Sequence, residues 1–295
     1  MKGISYCLML LCLFSAFVQA KPKLDTPIKN AQRIVALAPH IVENLFVIGA
    51  GDRIVGTVDY ADYPRAARDI PRIGGYHGIV LEKLLALEPD VVIAWQTGNK
   101  KDDLAKIAAL GIPVVYSHAE HIRDVATELR RFGELTGLAA QAEYAALEFE
   151  RRFAKIHTRY QNSTSLRVFY QLWPEPMMSI NKDTWIHQLL ELCHVENVFA
   201  EASNDYPQLS LENVLHSKPD VIVAPIEKTK QHVTFIDWQT WPEIAAGKYN
   251  QVIQVDADLL HRYSTRVLAG VEDLCAKLDT SRRFYQQRKQ HDHVE

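Results

Sequence analysis

Beyond its first twenty residues the chain has no apolar run long enough to cross a bilayer, no block of lysine or arginine, and only two cysteines, Cys193 and Cys275. The first absence argues against a membrane span. The second, with a net charge of -3, argues against a nucleic-acid surface. A C-x-x-C redox pair, a G-x-S-x-G elbow and a phosphate-binding G-x-x-x-x-G-K-[ST] loop are missing as well, which removes three common enzyme signatures. "GAGDRIVG" carries Gly49 and Gly51 but has Ile54 where a dinucleotide loop needs its third glycine, and its glycines follow a helix pattern instead of a strand.

What is present begins with "MKGISYCLMLLCLFSAFVQA", a charge at Lys2, an apolar run and small residues up to Ala20. This reads as a signal peptide over residues 1–20, so the mature chain is expected to be exported. Cys12 follows Leu11, where a lipidated cysteine would follow a small residue, so a soluble exported protein is expected. In an oxidising compartment the remaining pair, Cys193 and Cys275, reads as a disulfide, with two buried thiols as the alternative. Closing that loop contributes roughly 4 kcal/mol in the chain-entropy model.

Short β-branched runs alternate with helical patterns. "RIVALAP" from Arg33, the run from Ile54, "DVVIAW" from Asp90 and Ile112–Tyr116 read as strands, with helices between them and Gly111 as a C-cap. Leu81, Leu84, Leu85 and Leu87 form a helical face before Pro89. Such alternation predicts parallel sheets covered on both faces. From His121 to about Gln161 the chain is rich in Ala, Glu, Leu and Arg and reads as one long helix, about 60 Å if continuous, or two in series around "LTGL". "LRVFYQLWPEP" from Leu166 then restarts the α/β pattern.

"LEKLLALEPDVVIAW" from Leu81 is echoed by "LENVLHSKPDVIVAP" from Leu211, an offset of 130 residues. So long a period is not that of a solenoid and predicts two similar lobes. The expected organisation is a signal peptide (1–20), an N-terminal α/β lobe (21–120), an interlobe helix (121–162), a C-terminal α/β lobe (163–280) and a frayed polar tail (281–295). The fold class is therefore α/β, two Rossmann-like lobes with parallel sheets joined by one long rigid helix.

Aromatic residues fall in the loops after strands or before helices, where open α/β sheets bind ligands. Tyr60 and Tyr63 lie in "VDYADYP", Tyr76 in "GGYHG", Trp95 after "DVVIA", Trp173 in "YQLWPEP" and Tyr206 in "NDYPQLS". Each can serve the core, but together they suggest a cleft lined by flat amphipathic side chains. His118 and His121 form an H-x-x-H pair without a third ligand, and no metal site is expected. Glu82 and Glu212 repeat one carboxylate near the start of a helix in each half. Helix-dipole complementarity accounts for each singly, while a pair of surface acids could also dock a two-fold symmetric partner.

These residues resemble a known family. "VDYADYP", "LEKLLALEPDVVIAW", "IAALGIPVV", "LLELCHVENVF" and "LSLENVLHSKPDVIV" are similar to the periplasmic binding proteins for cobalamin and ferric siderophores, and most similar to the cobalamin-binding group. The resemblance implies two lobes joined by a stiff helix, cobalamin held between them as cargo with no cofactor and no catalysis, and delivery to the permease subunits of an ABC importer. It implies that Glu82 and Glu212 engage permease arginines, that Cys193 and Cys275 are disulfide-bonded, and that Tyr60, Trp95 and the segment Asp258, Leu259, Leu260, His261 and Arg262 contact the ligand. Tyr76 and Tyr206 stand where related proteins carry tryptophan. His261 is expected to hydrogen-bond a ligand amide, with approach to the cobalt as the alternative. A monomer is expected. Haem or a ferric siderophore is the alternative cargo, with Tyr76, His261, Met177 and Met178 as conceivable iron ligands and Arg262 as a cleft cation. A metal-dependent hydrolase is the remaining alternative.

Overall fold

Two four-stranded parallel sheets carry the chain, in a computed structural model that describes residues 28–226 and 236–292. The expected signal peptide and residues 293–295 lie outside the described residues. In the N-terminal lobe β1 (Ile34–Ala36), α1 (Pro39–Val47), β2 (Ile54–Thr57), the hairpin β3 (Gly74–Gly75) and β4 (Gly78–Ile79), α2 (Leu81–Ala86), β5 (Val91–Trp95), α3 (Lys101–Ala109) and β6 (Val114–Ser117) follow in order. The sheet order is β2-β1-β5-β6. Side chains alternate across it as the two-residue period requires. Ile34, Ala36, Val91 and Ile93 join Ile41, Leu45 and Leu129 on one face; Val35, Val92 and Ala94 meet Leu84, Leu104 and Ile107 on the other. Both faces being covered explains why the strands read as apolar runs without polar alternation.

After α4 (Asp124–Thr136) and α5 (Ala139–Tyr160), the second lobe repeats the plan. It comprises β7 (Arg167–Tyr170), β8 (Trp173–Pro174), β9 (Met177–Met178), α6 (Trp185–Leu192), β10 (Glu196–Asn197), α7 (Leu211–Ser217), β11 (Val221–Ile226), α8 (Ala245–Lys248), β12 (Val252–Asp256), α9 (Ala257–Leu260) and α10 (Val267–Asp292). Its sheet order, β10-β7-β11-β12, matches that of the first lobe strand for strand.

The echoed sentence builds one junction twice. Leu84 and Val214, both fully buried, anchor α2 and α7 beneath their sheets. Glu88 and Lys218 then take left-handed backbone, φ 42° and 46°, before Pro89 and Pro219. Asp90 accepts hydrogen bonds from the backbone N–H groups of Gln32 and Arg33 at 2.7 and 2.8 Å, and Asp220 from that of Arg167 at 2.9 Å. The guanidinium groups of Arg33 and Arg167 return to the ends of α2 and α7, donating to the carbonyls of Leu87 (2.7 Å) and Ser217 (3.0 Å), which have no partner inside their helices. Leu85, expected on the buried face, is 44% exposed, since it lies about 100° round the helix from the buried Leu84.

The stretch 121–162 forms two helices. Gly137 takes the left-handed conformation, φ 72°, and its N–H closes α4 on the carbonyl of Gly133. A single 60 Å rod is therefore not formed; α5, of 22 residues, is about 33 Å long and is the one connecting helix. The two helices pack as an antiparallel hairpin, with Arg130 bonded to Glu143 at 2.7 Å and Glu150 at 2.6 Å. α4 belongs to the N-terminal lobe through α1, whereas α5 lies against α6 and α10. One continuous buried cluster runs from Ile41 and Phe132 through Ala146 and Phe149 to Leu189 and Leu274, so the lobes share a core at their junction.

The chain end differs from the expected frayed tail: α10 continues to Asp292. Arg282, 5% exposed, donates to the carbonyl of Thr164 at 2.7 Å and also binds the carbonyl of Cys193. Tyr285 donates to the carbonyl of Asp220 at 2.8 Å and packs edge-on against Tyr249. Val267, Leu268, Val271, Leu274 and Leu278 bury the first half of this helix, and beyond them polar side chains that reach back to backbone carbonyls hold its later turns. The Cys193–Cys275 disulfide ties the end of α6 to α10.

Candidate functional site

The carboxyl ends of both sheets turn toward one another, and the loops that leave them carry the aromatic residues. On the N-terminal side Trp95 ends β5, with its backbone N–H bonded to Asn99 Oδ1 at 2.7 Å and Asn99 donating to the carbonyl of Leu37 at 2.9 Å. Gly98 sits under the indole, where an added Cβ would lie 1.8 Å from Trp95 Cε3, so this turn admits no side chain. His40, at the start of α1, pairs its Nε2 with the hydroxyl of Ser117 at 3.3 Å. Burial, and secondarily the charge of Arg262, push His40 down from 6.5 to about 3, so the ring is neutral.

Tyr263 crosses from the C-terminal lobe into this group. Its ring lies 5.5 Å from His40, 5.7 Å from Trp95 and 4.3 Å from Trp185. Trp185 is oriented by donation from Nε1 to the carbonyl of Leu260 at 2.9 Å. Four rings thus form a continuous aromatic path between the lobes. Burial pushes the Tyr263 hydroxyl up to about 12.

Below the rings lies an ionic network. Glu43 of α1, only 1% exposed, accepts from Arg262 at 2.8 Å, from Arg266 at 2.9 Å and from the hydroxyl of Ser264. Arg262 also reaches Asp62 at 2.9 Å and Asp258 at 2.7 Å. Burial opposes its charge, and the hydrogen bonds of Glu43 and Asp62 outweigh that effect, so its pKa is raised. Asn44 donates to the carbonyl of Tyr263 at 3.1 Å and accepts from the N–H of Thr265 at 3.3 Å. With a full set of partners, the charges are held without an orphaned group.

Most of the aromatic residues singled out from the sequence are exposed: Tyr60 (57%), Tyr76 (74%), Trp173 (37%) and Tyr206 (48%), with Trp95 half-buried. In the Asp258–Arg262 segment, Leu260 has no exposed surface and packs in the core, so its side chain is not part of the cleft lining. α9 turns it inward. Leu259 is half-buried against Gly270. Asp258 and Arg262 are paired with one another, and His261 Nε2 is bonded to the buried hydroxyl of Tyr170 at 2.8 Å. That bond engages Nε2, one of the two ring nitrogens able to ligate a metal.

Sequence reasoning missed His40, Glu43, Trp185, Tyr263 and Arg266. A signal existed for Glu43 and Asn44, two polar residues in the otherwise apolar "HIVENLFVIG", an arrangement that marks a buried polar contact. Glu82 and Glu212 are both exposed, in the first turns of α2 and α7. Hydrogen bonds from its own backbone N–H and from Ser210 hold the Glu212 carboxyl below the usual range. His118 pairs with Glu120 at 2.9 Å, and among the described residues no group of three or more His, Cys, Asp or Glu side chains is placed to hold a metal ion. A cavity of about 660 Å³ beside β12, lined by Gln171, Trp238, Gln254 and Lys277, lies apart from the aromatic path, and its Trp238 Nε1 is bonded to Gln171 at 2.9 Å.

Two parallel-sheet lobes on one connecting helix, with an aromatic cleft at the strand ends, define a two-lobed solute-binding protein. The chain belongs to the periplasmic binding protein family, whose sequence profile matches residues 34–259. It is 33% identical over 251 residues to the vitamin B12-binding protein of Vibrio cholerae serotype O1, covering 84% of this chain and 89% of that one. To the vitamin B12-binding protein of Vibrio parahaemolyticus it is 29% identical over 280 residues, covering 94% and 98%. Among solved structures, the periplasmic vitamin B12 binding protein of Vibrio cholerae superposes with a TM-score of 0.77 at 32% identity, covering 85% of this chain and 98% of that one. The periplasmic haem binding protein of Vibrio cholerae shares the fold, with a TM-score of 0.74 at 17% identity and coverage of 84% and 98%. Members of this family bind substrates and are not enzymes.

Proposed function

We propose that this protein captures cobalamin in the cleft between its lobes and delivers it to an inner-membrane ABC transporter. The observation that carries the reading is the aromatic path at the strand ends, where the half-buried rings of Trp95 and Tyr263 rest on the buried His40 and Trp185, together with the exposed rings of Tyr60, Trp173 and Tyr206. A corrin offers a broad apolar face and a rim of amides. Flat rings suit the face, and the tyrosine hydroxyls and Asp258 suit the rim. The vitamin B12-binding relatives point the same way.

Capture in this reading needs no large closure. The Glu43 network and the shared core hold the lobes at a set distance before ligand arrives, which lowers the ordering cost of binding. The exposed carboxylates of Glu82 and Glu212, one on each lobe, are the proposed points of contact with arginines of the paired permease subunits. The test is to pass the mature protein with cyanocobalamin over a sizing column. Corrin absorbance is expected to travel with the protein, and a clean separation at micromolar concentrations would overturn the reading, as would haem co-eluting in its place.

A further inference from the structure

The loop between β2 and β3 belongs to the N-terminal lobe, yet part of what holds it comes from the other lobe. Its own lobe grips the main chain: Arg72 donates to the carbonyl of Ala61 at 2.8 Å, Arg68 to that of Asp62 at 3.3 Å, and the N–H of Asp59 to the carbonyl of Gly74 at 2.9 Å. The side chains are gripped across the cleft. Arg262 takes the Asp62 carboxylate at 2.9 Å, and the guanidinium of Arg266 lies 3.7 Å above the centre of the Tyr63 ring.

Arg266 is itself fixed. Its Nη1 donates to Glu43 at 2.9 Å and its backbone N–H to the hydroxyl of Ser264 at 3.3 Å. One edge of the guanidinium is thereby tied to a buried carboxylate of α1, and its flat face is left to stack on Tyr63, a role that a lysine ammonium cannot fill. Three residues before Tyr63, Tyr60 holds φ 65°, a left-handed conformation that costs a residue other than glycine about 1 kcal/mol or more. Such a conformation persists only where the surroundings over-determine it. Tyr60 is 57% exposed, so its own packing does not supply that constraint.

We infer that Arg266 is a positioning residue for the ligand wall: from the C-terminal lobe it clamps Tyr63 and thereby holds the Tyr60 loop of the N-terminal lobe in its binding conformation. The inference rests on the cobalamin reading only in giving Tyr60 a ligand to meet. Its structural half, a loop ordered from the opposite lobe, stands by itself.

The experiment combines ligand-free hydrogen exchange with affinity for cyanocobalamin, in Arg266→Ala, Arg266→Lys and Tyr63→Leu, each with and without Tyr60→Ala. Arg266→Ala is expected to speed exchange of the Asp59 and Asp62 amides about fivefold to tenfold, while the amide of Val92 in β5 stays protected. The same variant is expected to weaken cyanocobalamin binding about tenfold, and by less than about twofold once Tyr60 is alanine. Arg266→Lys, which keeps the charge near Glu43 and loses the flat face, falls between. Tyr63→Leu reproduces the Arg266→Ala effect with the Glu43 pairing intact, and so covers the case in which Arg266→Ala fails to fold. Unchanged exchange in the loop, or an equal affinity loss with and without Tyr60, would overturn the inference. If the wild-type protein binds no cyanocobalamin, the functional reading fails, and the exchange arm still decides whether Arg266 orders the loop.

Discussion

Glu88 and Lys218 hold the same left-handed backbone, φ 42° and 46°, each directly before a proline and 130 residues apart. Neither is glycine, and both face solvent. What maintains the conformation is the junction behind it, where Pro89–Asp90 and Pro219–Asp220 lead into the central strands of the two sheets. The aspartates take up backbone N–H groups at the starts of the neighbouring strands, and Arg33 and Arg167 take up the helix-end carbonyls.

The aspartates are therefore predicted to be structural and unequal. Asp90→Ala leaves the N–H groups of Gln32 and Arg33 without their acceptor, whereas Asp220→Ala releases that of Arg167 alone. Urea denaturation is expected to show a loss of about 1 to 2 kcal/mol for the first and about 0.5 to 1 kcal/mol for the second, since water reaches the released groups. Equal losses, or none, would contradict the account.

Glu43→Gln addresses the seam between the lobes. It takes the charge from a buried acceptor shared by Arg262, Arg266 and Ser264, leaving Arg266 without a carboxylate partner within this network. A cost of about 3 kcal/mol is expected, because a buried ion pair broken on one side leaves its partner uncompensated. Arg262 keeps Asp62 and Asp258, which limits the damage. A change below about 1 kcal/mol in urea unfolding would show that the network does not hold the lobes.

His40 predicts an acid sensitivity of definite sign. Its folded pKa, about 3, lies below the ordinary 6.5, so at neutral pH both folded and unfolded states carry it uncharged. As pH falls below 6.5 the unfolded chain takes up a proton that the folded protein refuses, and stability declines by up to roughly 1.4 kcal/mol per pH unit until about pH 3. His40→Gln removes this contribution. The stability difference between wild type and variant is expected to shrink by about 1 kcal/mol per unit between pH 6 and pH 4, and a constant difference would refute the assignment.

For the paired glutamates, Glu82→Ala combined with Glu212→Ala is expected to leave cyanocobalamin affinity within about twofold and to abolish transporter-dependent uptake in reconstituted vesicles. A matching loss of affinity would make them cleft or structural residues.

Much of the architecture was legible because parallel sheets covered on both faces leave strong traces: apolar β-branched runs, glycine stops and a repeated helix-to-strand junction. The break between α4 and α5 was visible only as the alternative at "LTGL", since Gly137 ends a helix without revealing that the next one turns back. The last turns of α10 were hidden by their composition. Beyond Leu278, Arg282 and Tyr285 hold the helix by donating to backbone carbonyls, and such contacts leave no hydrophobic period in a sequence. At the site, loop aromatics such as Trp95 and Tyr60 could be picked out singly, whereas Glu43 and Arg266 lie 223 residues apart and only the fold joins them. Leu260 failed as a cleft residue because a short helix turns Ala257 and Leu260, three positions apart, into the core.

Titration calorimetry of the mature protein with cyanocobalamin, with haem as the competing ligand, tests the central claim most directly. One molecule is expected to bind per chain with a dissociation constant below about 1 μM, unaffected by a stoichiometric amount of haem, and Trp95→Ala to weaken it by about tenfold or more. No heat with cyanocobalamin, or saturable binding of haem in its place, would contradict the account.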